Sequence, residues 1–152
     1  MAARTRRSVE KTSAFWDSSA LVPLCARQPL TPRLRELYKA YQIAVWWATP
    51  VEIASALARL ARMQYINARE LAESKKLAAN LADEWWIVQP ADVLPARAVS
   101  LIERHDLRAA DALQLAAALQ WCENQPHGRV FLTSDQRLQE AARVIGFDAG
   151  QL

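Results

Sequence analysis

Four short apolar segments, separated by longer helical stretches, are the feature that most constrains how this chain can fold. The segments are residues 14–16, 43–47, 85–88 and 129–132. The second of them is apolar on both faces, as expected of a strand that helices cover on each side. Strands that alternate with helices are typical of an α/β domain with a mainly parallel sheet. We therefore predict a three-layer domain in which helices flank a mainly parallel central sheet.

Cap residues and apolar spacing predict where the helices lie. The predicted helices are residues 18–27, 33–41, 49–61, 67–84, 93–104, 109–119 and 136–145. Their predicted N-caps are Ser18 or Ser19, Thr31, Thr49 and Asp92, and Gly146 is a predicted C-cap. The segment 109–119 has only two polar residues, Asp111 and Gln114. A helix that is apolar nearly all round is buried, and residues three apart share one face.

The composition indicates a globular protein with an uneven charge distribution. The chain is 52% hydrophobic and 23% charged, and its 152 residues suit one domain. The net charge of +3 resides in the first 11 residues, because the remaining 15 basic and 15 acidic residues cancel. We therefore predict a flexible basic N-terminal arm, residues 1–13, followed by a single domain, residues 14–152. No leader and no apolar run of membrane-spanning length is present, so we expect a cytoplasmic protein without a membrane partner.

Four carboxylates recur in comparable settings along the chain. Asp17 and Asp135 each follow a predicted strand directly, and each neighbours two hydroxyls. Glu52 and Asp111 lie early in predicted helices, near the sheet edge where such strands end. Ligands bind outside the carboxyl ends of parallel strands, and carboxylate oxygens suit Mg²⁺ or Mn²⁺. We therefore predict that the four acids meet as one metal-binding cluster.

Each acid also has a simpler interpretation that the sequence leaves open. Asp17 and Asp135 could cap the helices that follow them. Thr49-Pro-Val-Glu52 matches the capping box, in which the glutamate reaches back to the backbone of Thr49. Asp111 fits such interpretations least well, because a lone charge in an apolar helix costs several kcal/mol unless it is paired or bound to a cation.

Four motifs in order resemble the PIN-domain proteins, and specifically the VapC family of toxin ribonucleases. Together they cover nearly everything from residue 14 onward. The motifs are Trp16-Asp-Ser-Ser-Ala-Leu-Val22, Thr49-Pro-Val-Glu52 with residues 54–59, Leu107-Arg-Ala-Ala-Asp-Ala-Leu-Gln-Leu-Ala116, and Leu132-Thr-Ser-Asp-Gln-Arg-Leu138.

The resemblance implies a PIN-like α/β nuclease fold and a metal-dependent endoribonuclease of a type II toxin–antitoxin pair. Such proteins are usually homodimers that a co-expressed antitoxin holds inactive. The family's acidic quartet corresponds to Asp17, Glu52, Asp111 and Asp135, with Thr133 as a supporting hydroxyl. Ser19 is assigned a similar supporting role. Arg108 and Arg137 are candidates for holding substrate phosphates, although a solvated surface role is the simpler interpretation of both.

Other functions stay open at this point. The domain could clamp RNA or a partner protein without turnover, or process RNA as a housekeeping nuclease. A phosphatase of the Asp-x-Asp type would need a second aspartate where this chain has Asp17-Ser-Ser, and a phospho-receiver would need a lysine soon after Phe131. Five apolar positions in the first two helices could be either core or an antitoxin-docking surface. These are Leu21, Leu24, Leu34, Leu37 and Tyr41.

Overall fold

A computed structural model describes residues 11–152 of the chain, and this part contains four strands and seven helices. The strands are β1 (Thr12–Trp16), β2 (Tyr41–Trp46), β3 (Trp86–Val88) and β4 (Val130–Leu132). The helices are α1 (Ser18–Cys25), α2 (Thr31–Ala40), α3 (Thr49–Arg62), α4 (Ala68–Ala82), α5 (Val93–Arg104), α6 (Ala109–Trp121) and α7 (Gln136–Ile145).

The four strands form one sheet in the order β3-β2-β1-β4, and all neighbouring pairs are parallel. Because side chains alternate along a strand, β1 contributes Phe15 to one face and Ala14 and Trp16 to the other. The Phe15 face is covered by α5, α6 and α7, and the opposite face by α1 to α4. The predicted three-layer architecture is confirmed.

Parallel pairing places the carboxyl ends of β1, β2 and β4 at one edge of the sheet. The backbone N–H of Asp17 donates to the carbonyl of Leu132 at 2.9 Å, which extends the pairing of β1 and β4 to the first residue after the strand. This edge therefore has a fixed register, and the residues that follow β1 and β4 meet there.

Several predicted element ends and caps differ from the structure. β1 begins at Thr12, so Thr12 and Ser13 belong to the sheet and not to the predicted arm. Residues 1–10 of that arm lie outside the described residues. α1 is capped by Asp17, not by Ser18 or Ser19, and it ends at Cys25 rather than near residue 27. α2 begins at Thr31, two residues before the predicted start at residue 33, and Pro32 lies in its first turn, where proline is tolerated.

The threonine and aspartate caps predicted for three other helices also do not form. Thr31 and Thr49 are each the first residue of their helix, and neither α2 nor α3 has a side-chain cap. The Thr31 hydroxyl instead donates to the carbonyl of Pro23 at 2.6 Å. Asp92 stands at the N-cap position of α5 without a side-chain cap bond. A contact outside the helix thus replaces local capping at Thr31, whereas the Thr49 hydroxyl is buried without a hydrogen-bond partner in the described part of the chain.

Gly146 ends α7 as predicted, in a left-handed conformation with φ of 119°. A Cβ atom there would lie 2.9 Å from the His127 ring, so both the backbone and the packing favour glycine. The chain then extends back along β4, where Asp148 forms a parallel bridge with Val130.

The apolar positions of α1 and α2 belong to the core. Leu21, Leu24, Leu34 and Leu37 are all buried, and Tyr41 packs against the same cluster. The core interpretation is confirmed for the four leucines, and Tyr41 begins β2 instead of ending a helix, whereas a partner groove beside these residues stays a prediction. Among the helices of residues 11–152, none is long and apolar enough to cross a membrane.

Candidate active site

Asp17 is the most deeply buried of the four acids, with 4% of its surface exposed. Its Oδ2 atom accepts hydrogen bonds from the Ser19 hydroxyl and the Ser19 backbone N–H. The Thr133 hydroxyl, itself buried, donates to the same oxygen at 2.9 Å. Oδ1 receives only a long contact of 3.4 Å from the Ser18 hydroxyl. Asp17 is therefore both the cap of α1 and a fixed carboxylate with one oxygen largely uncommitted.

A small hydroxyl network connects the segment after β1 to the segment after β4. The Ser19 hydroxyl lies 3.2 Å from the Thr133 hydroxyl and accepts from the backbone of Ser134 at 2.9 Å. The backbone N–H of Asp135 donates to the Thr133 hydroxyl at 3.0 Å. Thr133 and Ser19, the two residues predicted to support the site, thus link Asp17 to the segment that carries Asp135.

Glu52 faces this edge and does not form the predicted capping box. The Ser18 hydroxyl donates to its Oε2 at 2.9 Å, and the side-chain amide of Gln114 donates to the same atom at 3.0 Å. Within residues 11–152, Glu52 Oε1 accepts no hydrogen bond. The cap interpretation of Glu52 is wrong because two side chains from other helices hold its carboxylate away from Thr49.

Asp111 and Asp135 complete the set from α6 and α7. Asp135 caps α7 through a 2.9 Å hydrogen bond from the Leu138 backbone to Oδ1, and its Oδ2 accepts no hydrogen bond from the part of the chain that the structure describes. Asp111 lies in the first turn of α6 and is half-buried, not enclosed in the core as its apolar helix suggested. The structure thus brings all four predicted acids to one edge of the sheet.

The pKa values of three of these acids are raised, in two of them partly because the acids lie close to one another. Burial raises the pKa of Asp17, and its hydrogen bonds to Ser19 and Thr133 only partly oppose that rise. Burial also raises the pKa of Glu52, and the charges of Asp17 and Asp111 raise it further. For Asp111, burial comes first and the charges of Asp135 and Asp17 follow, with partial relief from Arg108. Since like charges raise carboxyl pKa values, the four acids form one repulsive cluster.

The donor set of this cluster fits a divalent cation of the Mg²⁺ or Mn²⁺ type. It consists of carboxylate oxygens, which such ions prefer, and in residues 11–152 none of the four acids forms a salt bridge. In the same part of the chain, no three acidic, histidine or cysteine side chains stand close enough to hold one ion as they are placed. Repulsion between the carboxylates opposes their closer approach, and a bound cation would replace that repulsion with attraction to the ion.

Two open cavities flank the acids. The first, which we call the Arg59 cavity, has a volume of about 370 Å³ and includes Ser18, Glu52 and Arg59 in its lining. The second, the Arg137 cleft, has a volume of about 410 Å³ and is lined by Asp111, Asp135, Arg108 and Arg137, among others. Ser134 lines both cavities. A polymer that crosses the acids can therefore contact protein on either side of them.

The two predicted phosphate-binding arginines are both in the Arg137 cleft and both exposed. Arg137 lies 3.5 Å from the Asp106 carboxylate, a pair whose side chains are 63% and 85% exposed. Such an exposed pair contributes little to stability, so Arg137 can be released to another anion at small cost.

Two residues that contact the acids, Ser18 and Gln114, were not predicted from the sequence to belong to the site. Both donate to Glu52, and Gln114 is fully buried. A signal for Gln114 was present, because it shares a face of an apolar helix with Asp111. Its partner could not be predicted, since Glu52 is 62 residues away in the chain.

Comparison with known proteins agrees with this geometry. The sequence profile described as PIN domain matches residues 14–144. A solved structure of a toxin–antitoxin complex from Klebsiella pneumoniae is similar, with a TM-score of 0.58, 17% identity, and coverage of 82% of this chain and 88% of that chain. A crystal structure of a protein from Pyrobaculum aerophilum gives a TM-score of 0.60 and 19% identity, covering 91% of this chain and 89% of that chain. No curated protein matches the sequence. At such identities the two structures establish the fold alone.

Proposed function

This chain belongs to the PIN domain family, and from that premise we propose that it is an endoribonuclease that uses Mg²⁺ or Mn²⁺ to hydrolyse RNA phosphodiester bonds. PIN domains are generally nucleases that use divalent metal ions. The observation that carries the proposal is the orientation of the acids. Within residues 11–152, Asp17, Glu52 and Asp135 each place one oxygen on protein donors, and the other oxygen accepts no hydrogen bond in Glu52 and Asp135 and only a 3.4 Å contact from Ser18 in Asp17. This arrangement fixes each carboxylate while one oxygen of each stays available to a cation or to water.

In the proposed mechanism Asp17, Asp111 and Asp135 would hold the cation, and Glu52 would bind it directly or through water. A bound divalent cation would supply a more acidic water molecule and neutralisation of charge on the scissile phosphate. Thr133 and Ser19 keep the Asp17 carboxylate in place, because both donate to its Oδ2 atom. Arg108 and Arg137 hold phosphates of the RNA backbone beside the acids, where the guanidinium group suits bidentate contact.

We further propose that the chain is the toxin of a type II toxin–antitoxin pair of the VapC kind, in which residues 14–152 form the single nuclease domain. In this proposal it acts in the cytoplasm as a homodimer, and its cognate antitoxin inhibits it. The similarity in fold to the toxin–antitoxin complex from Klebsiella pneumoniae supports this assignment.

Incubation of the purified full chain with single-stranded RNA tests the enzymatic proposal. We expect cleavage with Mg²⁺ or Mn²⁺ and none with a chelator. RNA that is bound but never cut, at any cation concentration, would instead identify a binding module without turnover. Sequencing RNA ends from cells after brief induction of the protein then identifies the RNA that is cut. A housekeeping nuclease would cut only at sites of normal RNA processing, whereas a toxin would cut elsewhere.

A further inference from the structure

The Arg59 cavity contains side chains that the proposed mechanism does not use. Besides Ser18 and Glu52, its polar lining includes Gln28, Ser55 and Arg59. Within residues 11–152 the side chains of these three residues form no hydrogen bond to protein, and Arg59 has no salt bridge. Three uncommitted polar groups therefore converge on a cavity that opens onto the acids.

The cavity has the volume and the polar and apolar lining that can receive a heterocycle. Val22 and Ala56 give it an apolar part, and its volume of about 370 Å³ is in the range of small-molecule sites. A glutamine amide offers a donor and an acceptor together, as base edges require, and a guanidinium can stack on a base or bind its acceptors.

The position of Gln28 is set by the fold. Its backbone N–H donates to the Thr31 hydroxyl at 2.8 Å, and that hydroxyl donates to the carbonyl of Pro23 at 2.6 Å. Thr31 is buried, with 3% of its surface exposed. The loop between α1 and α2 is thus tied to the end of α1, and Gln28 lines the same cavity as Ser55 and Arg59 of α3.

From these observations we propose that the Arg59 cavity is a nucleobase subsite, which holds one unpaired base of the RNA next to the scissile phosphate. This rests on the proposed function, because the cavity adjoins the acids through Glu52 and Ser18. A base inside a duplex is stacked and paired and cannot enter a cavity of this kind without being extruded. Gln28 and Arg59 read the identity of the unpaired base beside the cleaved bond.

The experiment compares four full-length proteins: wild type, Gln28→Ala, Arg59→Ala and the control Arg62→Ala. Arg62 lies on the same helix, is also exposed, and does not line the cavity. Each protein is incubated with a pool of single-stranded RNA of random sequence and Mg²⁺, and the cleaved ends are sequenced. We expect the wild type and Arg62→Ala to share one base preference next to the cleaved bond. Gln28→Ala and Arg59→Ala should reduce that preference by about tenfold, the size of a lost base contact.

A binding measurement without turnover keeps the subsite testable on its own. Affinity for four short single-stranded oligoribonucleotides, each made of one type of base, is measured by fluorescence anisotropy in the presence of a chelator. If Gln28→Ala and Arg59→Ala, but not Arg62→Ala, weaken binding more for one base than for the others, the subsite is supported even if no RNA is cut, a result that would refute only the proposed hydrolysis. Equal loss for every base indicates a phosphate in the cavity and overturns the assignment. Unchanged preference together with unchanged affinity overturns it as well.

Discussion

At the scale of single residues, the site is defined by which oxygen of each carboxylate the protein holds. Two donors converge on Glu52 Oε2 and three on Asp17 Oδ2, while a backbone N–H holds Asp135 Oδ1. Ordinary helix capping accounts for part of this, since Asp17 and Asp135 are both N-caps. Capping and metal binding are therefore compatible in one carboxylate, because each uses a different oxygen.

The substitution Asp111→Asn tests whether that residue serves catalysis. We expect metal-dependent RNA cleavage to fall by about a hundredfold or more, because the variant lacks a charge that holds the cation. The melting temperature without metal should stay the same or rise, since one member of a repulsive cluster is gone. Cleavage rate and melting temperature are measured on one sample, with the exposed Asp83→Asn as control. If activity falls only in step with the folded fraction, Asp111 is structural.

The substitution Gln114→Leu tests the buried amide that holds Glu52. We expect affinity for Mn²⁺, measured by calorimetry, to fall about 10- to 100-fold, as for other residues that orient a metal ligand. Stability without metal should hardly change, because the Gln114 Oε1 atom is buried without a partner and leucine removes that unpaired group. Gln120→Leu on the same helix is the control, since Gln120 Oε1 is also buried without a partner. Equal Mn²⁺ affinity in the two variants would contradict a positioning role for Gln114.

At the scale of elements, the site is assembled from the ends of strands and the beginnings of helices. β1 and β4 are neighbours in the sheet, so the residues after them meet, whereas α3 and α6 bring Glu52 and Asp111 by packing on opposite faces. The contact between Thr133 and Asp17 connects segments 116 residues apart. The loops after β1 and β4 are therefore coupled through side chains as well as through the sheet.

Replacing Thr133 measures that coupling. Thr133→Val preserves shape but leaves Asp17 without one donor and the Asp135 N–H without its acceptor. We expect the free energy of unfolding in urea to fall by about 1–3 kcal/mol, the cost of unpaired buried groups. Thr133→Ser retains the hydroxyl and should recover most of the stability. Equal stability of the valine and serine variants would show that the hydroxyl network contributes nothing measurable.

At the scale of the whole molecule, the acidic cluster makes folding depend on pH. The pKa values of Asp17, Glu52 and Asp111 are raised from 3.8, 4.5 and 3.8 by burial and mutual repulsion. In the unfolded chain these acids ionise at lower pH than in the folded one. The contribution of these acids to the free energy of unfolding is therefore fully present below their pKa values in the unfolded chain. It is lost as pH rises through their pKa values in the folded protein.

We therefore expect the free energy of unfolding of the chelated protein to decrease from about pH 4 towards neutral pH. Addition of Mg²⁺ at neutral pH should restore stability, by about 2.7 kcal/mol when the ion is at 100 times its Kd. Urea titrations across this pH range, with chelator and with Mg²⁺, measure both effects, and Asp17→Asn should reduce them. A melting temperature that millimolar Mg²⁺ or Mn²⁺ leaves unchanged at neutral pH would contradict a cation site in this cluster.

What the sequence by itself determined is the alternation of elements, and with it the parallel sheet and the edge where the acids collect. Apolar strands such as β2 need cover on both faces, and acids that follow parallel strands must share an edge. Glu52 shows what only the tertiary structure decided. Its local sequence matches a capping box, and the contacts with Ser18 and Gln114 override it. Capping is a local interaction that sequence spacing can predict, whereas hydrogen bonds between helices exist only after the core has packed.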